Sequence, residues 1–229
     1  MLLSGRVAII AGVCGLGSAV ARAFAREGAA VVLGDSGDAA LAYARAAVAD
    51  HGGVVRTVRT ESTSADGDRL VRAALDAFDR VDVVICNAAA SLDASVGDIE
   101  AWDRTLDTTL FAALELAHAA IPPLRAAGGG AIVFVSSPLL REPVAGHGPQ
   151  VAAFGALLTA SQVLARELGP SNIRVNTVVP RPEDPPPGPP GPASEEPTGD
   201  PAADAIVFLA SGLAAVVTGQ SLDVRTAGS

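Results

Sequence analysis

Residues 7–28 read VAIIAGVCGLGSAVARAFAREG. Val7, Ala8, Ile9, Ile10 and Ala11 make an apolar run of strand length. Residues 16–27 place small and apolar side chains at helical spacing, and Gly28 closes the segment. Between the two, Gly12, Gly15 and Gly17 stand where a strand hands over to a helix. A tight turn there needs residues without Cβ, and the helix behind it offers unpaired backbone N–H groups to a pyrophosphate. Asp35 ends the next apolar run. An acid at that point can accept both ribose hydroxyls of NAD and repel the extra phosphate of NADP. The plainer alternative is that the glycines only let the helix pack closely on the sheet.

Outward from this stretch, apolar runs alternate with amphipathic segments. Strands are expected over 7–11, 30–33, 54–58, 81–86, 131–136, 174–178 and 221–224. Helices are expected over 16–27, 38–51, 66–78, 99–126, 151–168 and 201–213, with Pro122 and Pro123 bending or ending the fourth. This alternation predicts an α/β fold: a Rossmann-type, doubly wound parallel sheet of about seven strands with helices on both faces. One domain is expected over 1–229. Residues 180–201, PRPEDPPPGPPGPASEEPTGDP, cannot supply a regular set of backbone hydrogen bonds and are expected to form a flexible loop.

Composition excludes several function classes. The net charge of −9 and the lack of a basic stripe argue against nucleic acid. No uninterrupted apolar stretch of spanning length argues against a membrane, and the first residues read as a strand, so the expected location is the cytoplasm. No metal cluster is legible. The two cysteines, Cys14 and Cys86, follow neighbouring strands, so a thiol pair could close the phosphate turn, although a reducing cytosol favours free thiols. All 16 basic residues are Arg, so the chain has no Lys, and its one Tyr is Tyr43.

The stretches VAIIAGVCGLGSAVARAFAREGA, DVVICNAA, WDRTLDTTLFAA, GGGAIVFVSS, LTASQVLARELGPSNIRVNTVVP and AIVFLASGLAAVVTGQSLDV together resemble the short-chain dehydrogenase/reductase family over nearly the whole chain. The resemblance implies a seven-stranded sheet and a homodimer or homotetramer built through two long helices. It also implies a dinucleotide on Gly12, Gly15, Gly17, Asp35 and Asn87. Ser137 matches the family's catalytic Ser. The departures fall at other functional positions. The glycine turn is one residue short. Cys86, Asn87, Ala88 and Ala89 replace Asn-Asn-Ala-Gly. The adenine-contacting Asp falls near Thr60 or Glu61, and the helix Asn becomes Thr109. Gln150 stands for the catalytic Tyr and Phe154 for the Lys. Arg181 follows Pro180 where the family has Gly, and Pro185 replaces the nicotinamide-holding Thr.

Gln150 can donate a hydrogen bond but cannot ionise, and Phe154 brings no charge. The expectation is therefore loss of the usual hydride transfer. A non-redox, cofactor-independent enzyme of bacterial biosynthesis is expected, cyclising, dehydrating or isomerising a small metabolite through Ser137, Gln150, Thr109 and His147. His147 is included because an imidazole beside the pocket suits acid–base work. One alternative is a catalytically inactive pseudoenzyme serving as a binding or oligomer partner. Another is an NAD-dependent oxidoreductase with relocated acid–base groups. Arg141, Glu142 and Asp93 read as surface charges, His51 as a helix-end residue, and His118 as packed or interfacial.

Overall fold

The computed structural model describes residues 1–61, 66–87, 97–182 and 200–226. Seven parallel strands form one sheet in the order β3-β2-β1-β4-β5-β6-β7. They are β1 (Val7–Ala11), β2 (Ala30–Asp35), β3 (Val55–Arg59), β4 (Val83–Cys86), β5 (Gly130–Val135), β6 (Ile173–Pro182) and β7 (Ser221–Thr226). The helices are α1 (Leu16–Arg26), α2 (Asp38–Ala49), α3 (Gly67–Phe78), α4 (Ile99–Thr105), α5 (Ala112–Ala126), α6 (Gly148–Leu168) and α7 (Pro201–Ala210).

Strand alternation splits the core in two. Ala8, Ile10, Val133 and Val135 face one cluster with residues of α1, α2 and α7. Val7, Ile9, Ile132 and Phe134 face the other, with residues of α3, α5 and α6. Strands buried on both faces are why the sequence shows continuous apolar runs instead of alternation. The strand order reverses direction at β1 and β4, so the crevice beyond their C-terminal ends is the expected ligand position in such a sheet.

Several boundaries differ from the sequence reading, and the single helix expected over 99–126 is α4, a π-helical stretch and α5. β6 runs on to Pro182, pairing Pro180 with Val224 and Arg181 with Arg225, so the Pro-rich stretch begins inside a strand. A strand on one side only needs those N–H groups that face it, so two prolines are tolerated. Asp200 caps α7 through the Ala202 and Ala203 N–H groups, so the far end of that stretch is also structured. The rest of it, 183–199, lies outside the described residues, as do Ala88, Ala89, Asp93 and Pro185. Pro122 and Pro123 do not end α5, which continues to Ala126. α6 is long and apolar enough by composition to cross a membrane, but its Ala153, Phe154, Leu157, Ala165 and Leu168 are buried in this fold.

The buried carboxylate of Asp82, just before β4, holds the N-terminal edge of the sheet. It accepts from Arg6 Nη1 at 2.9 Å, Arg80 Nε at 2.8 Å, Arg80 Nη2 at 2.7 Å and the Val7 N–H at 2.9 Å. Burial alone would raise this carboxyl, but Arg80, the Val7 N–H and Arg6 outweigh it and hold it below its ordinary value. A depressed carboxylate stabilises above its unfolded pKa, near 4, and that contribution is lost as pH falls through the folded value. Asp82→Asn should therefore lower unfolding stability by about 1–3 kcal/mol at pH 7. In denaturant titrations the gap to wild type should close below about pH 4; a gap independent of pH would contradict the assignment.

Candidate active site

At the C-terminal end of β1 the chain turns at Gly12, whose φ is +83°. A Cβ there would lie 1.9 Å from the Asn87 carbonyl oxygen. Only glycine fits, because the backbones following β1 and β4 touch at this point. Asn87 holds the contact: its N–H donates to Ala11 O at 2.8 Å and its Nδ2 to Gly12 O at 2.8 Å. A Cβ on Gly17 would lie 2.0 Å from Gly12 O, so the first turn of α1 sits directly on the glycine turn. Gly15 has a φ of +55°, with nothing within 4 Å of the direction its Cβ would take. No side chain caps α1, which leaves its N-terminal dipole facing the crevice.

The shortened turn is resolved by Val13, which sequence reasoning passed over. Its side chain is buried in the core, and its N–H donates to Asp35 Oδ2 at 2.8 Å. Asp35 Oδ1 accepts from Gly37 N–H at 2.8 Å. The acid at the end of β2 thus anchors the turn from both of its oxygens. Thr60, where the family's adenine contact falls, donates its N–H to Asp35 O at 2.9 Å.

The thiol pair does not exist. Cys14 is exposed, Cys86 is buried, and both are free. Cys86 points into the α3–α5–α6 side of the core, where its Sγ donates to Ala113 O at 3.6 Å and burial pushes its pKa up to about 12. The Cys14 thiol is raised by burial, then by the charge and hydrogen bond of Asp35. Neither sulfur is set up as a thiolate.

The predicted catalytic residues lie on the segment after β5, at the start of α6 and in the stretch between α4 and α5. Ser137 follows β5, and its Oγ accepts from the Leu139 N–H at 3.3 Å. Gln150, 7% exposed, lies in the first turn of α6, and Phe154 is buried one turn on. His147 stands at the N-cap of α6, with Nδ1 3.4 Å from Ala145 O. Thr109 lies in a π-helical stretch, Leu106–Phe111, between α4 and α5 and packed against α6. Such wide turns are frequent at functional sites. The hydroxyls of Thr105, Thr109 and Ser136 are buried without a hydrogen-bond partner among the described residues.

Two expected surface charges prove to be ties. Arg141 reaches Asp223 through Nε at 3.1 Å and Nη2 at 3.0 Å, and Glu142 accepts from Arg181. They fasten the loop after Ser137 to β6 and β7. Their partners lie some 40 and 80 residues away, so no local pattern announced them. Tyr43 is exposed on α2, away from the crevice, and His51 Nδ1 lies 3.0 Å from Ala47 O at a helix end, both as expected. His118 is exposed on α5, not packed. No cluster of metal-ligating side chains occurs among the described residues.

Two substitutions test this geometry. Gly17→Ala should lower stability by about 1–3 kcal/mol in urea unfolding, because the new methyl meets backbone. Thr109→Val should leave stability unchanged or raise it by about 1 kcal/mol, because it removes a buried hydroxyl without a partner.

The residues present fit the adenosine and pyrophosphate half of a nicotinamide dinucleotide: a glycine cradle a Cβ would fill, an uncapped helix start and an acid at the end of β2. The family described as short chain dehydrogenase matches residues 6–186. The chain is 35% identical over 183 residues to human "Dehydrogenase/reductase SDR family member 4", covering 78% of this chain and 66% of that protein, so the match spans about two thirds of that relative. It is 36% identical over 236 residues to the cis-4-hydroxycyclohexanecarboxylate dehydrogenase of Sinomonas cyclohexanicum, covering 96% and 94%. Among solved structures, carveol dehydrogenase from Mycobacterium avium in complex with NAD aligns with a TM-score of 0.83 and 25% identity over 98% of this chain and 97% of that one. A short-chain dehydrogenase/reductase from Burkholderia xenovorans aligns at 0.84 and 28%, over 97% and 95%. These findings overturn the expectation of a non-redox, cofactor-independent enzyme. The relatives are named dehydrogenases, and one solved structure holds NAD. The chain belongs to the short-chain dehydrogenase family.

Proposed function

We propose that the chain is an NAD-dependent oxidoreductase interconverting a small secondary alcohol and its ketone, with the proton handled by groups other than a Tyr–Lys pair. The observation that carries this reading is the glycine turn stitched to Asn87 and anchored on Asp35. Gly12, Gly15 and Gly17 would take the pyrophosphate and Asp35 the adenosine ribose, which favours NAD over NADP by charge repulsion. The bound dinucleotide supplies the hydride acceptor or donor. Ser137 and Gln150 hold the substrate oxygen by donating hydrogen bonds, which favours the charge that develops on it. Gln150 cannot take the proton, so it passes to His147 or to water at the mouth of the crevice. Losing a positioned ionising group costs on the order of 10² to 10⁴ in rate, so turnover is slow by the family's standard.

The test is absorbance of reduced nicotinamide with NAD and a panel of secondary alcohols that includes hydroxycyclohexanecarboxylates. Slow, saturable turnover is expected, falling about 10-fold or more in Ser137→Ala. The double substitution Gln150→Tyr with Phe154→Lys should raise kcat by at least about 100-fold. Absence of turnover in both wild type and the double variant contradicts the reading.

Exposed Ile99, Phe111 and Val163 on α4, the π-helical stretch and α6 support a homo-oligomer built on these helices. Light scattering should give a dimer or tetramer, converted to monomer by Phe111→Glu with Val163→Glu. The free state of both cysteines is in keeping with a cytoplasmic location.

A further inference from the structure

At the opposite end of the sheet from the dinucleotide crevice lies a cavity of about 210 Å³. Its lining includes Arg6, Asp82, Gly129, Asn172, Arg174 and Ser211. Arg6 precedes β1, Asp82 precedes β4, and Arg174 is the second residue of β6, so the cavity lies at the N-terminal edge of three strands. Among the described residues, Asp82 is the only acid lining it. Each Asp82 oxygen already accepts two hydrogen bonds, from Arg6 Nη1 and Arg80 Nη2 on one and from Arg80 Nε and the Val7 N–H on the other. That fills its acceptor positions. Arg174 finds no carboxylate. Its Nη1 donates to Leu209 O and its Nη2 to Ala210 O and Ser211 O, the last carbonyls of α7 and the residue beyond.

Two guanidiniums, Arg6 and Arg174, therefore line the cavity with one carboxylate, whose charge Arg80 also shares from outside the lining, in a chain whose net charge is −9. The α7 carbonyls offset only part of this, since a helix terminus carries about half a charge. Arg6 and Arg174 also act on each other: burial and then the Arg6 charge lower Arg174. The α5 end adds no free carbonyl row, because the Ala127, Gly128 and Gly129 N–H groups fold back onto Pro123, Arg125 and Leu124. The wall there is close-fitting backbone: a Cβ on Gly129 would lie 2.3 Å from Asn172 O.

We propose that this cavity binds a small dianion, a phosphate or dicarboxylate, on the edge of the Arg6 guanidinium turned from Asp82, with the Arg174 charge beside it. Planar guanidinium forks match the paired oxygens of either group. The volume suits an anion of that size and falls below the usual range for larger ligands. The site is separate from the dinucleotide crevice by the length of the strands, so occupancy ties β1, β6 and the end of α7 together without competing with NAD.

The experiment is thermal unfolding followed by Trp102 fluorescence in inorganic phosphate, in malonate and in chloride at matched ionic strength. At ten times its dissociation constant, phosphate or malonate should raise Tm by about 3 °C over chloride. Arg6→Gln should abolish the shift. Ala215→Glu, which sets a carboxylate on the exposed rim, should also abolish it while leaving Tm in chloride unchanged. Equal Tm in all three salts overturns the proposal. So does a shift that survives both variants, since the anion would then sit elsewhere, such as the glycine turn. The readout does not depend on turnover, so it stands or falls apart from the oxidoreductase reading.

Discussion

The crevice depends on the contact between the chain leaving β1 and the chain leaving β4. Asn87 donates to Gly12 O, and its own carbonyl fills the space where a Gly12 Cβ would be. Once these backbones meet, α1 must start on top of them, and Gly17 allows it. Asp35 then secures the loop from the β2 side through the Val13 N–H. A turn one residue shorter than the family's is accommodated by sending the Val13 side chain into the core. The helix behind the turn carries no side-chain cap at its N-terminus.

The other half of the crevice carries neutral side chains at the start of α6. Gln150 and Phe154 are buried at the start of α6, and hydroxyls from Thr105, Thr109 and Ser136 remain near the same helix. A phenyl ring neither orders a ribose nor favours an ionised neighbour. Hydrogen bonds from Ser137 and Gln150 can still orient a carbonyl, so binding and positioning survive where proton transfer is weakened. On the proposed reading, the adenosine half of the dinucleotide and the proton step rest on different residues.

That separation explains what the sequence made legible. The alternation of apolar runs and the glycine turn were enough for the sheet, its parallel strands and most element bounds, because burial on both faces writes itself into local composition. Gln150 and Phe154 could be placed by counting from Ser137 and the IRVN run. The step from their identity to an absence of cofactor was not sound, since the adenosine half carries its own binding groups. Contacts distant in sequence stayed hidden: Arg141 with Asp223, Arg6 with Asp82, and the pairing that draws Pro180 and Pro182 into β6. Cys14 and Cys86 follow neighbouring strands, yet one faces solvent and the other the core, which a period of two decides only when the register is known.

Calorimetric titration of NAD into the intact chain tests the central claim most directly. Saturable binding is predicted, weakened about 10-fold or more by Asp35→Ala and with NADP bound less tightly than NAD. No heat of binding at millimolar NAD would contradict a cradle built for the dinucleotide, as would equal affinity in Asp35→Ala.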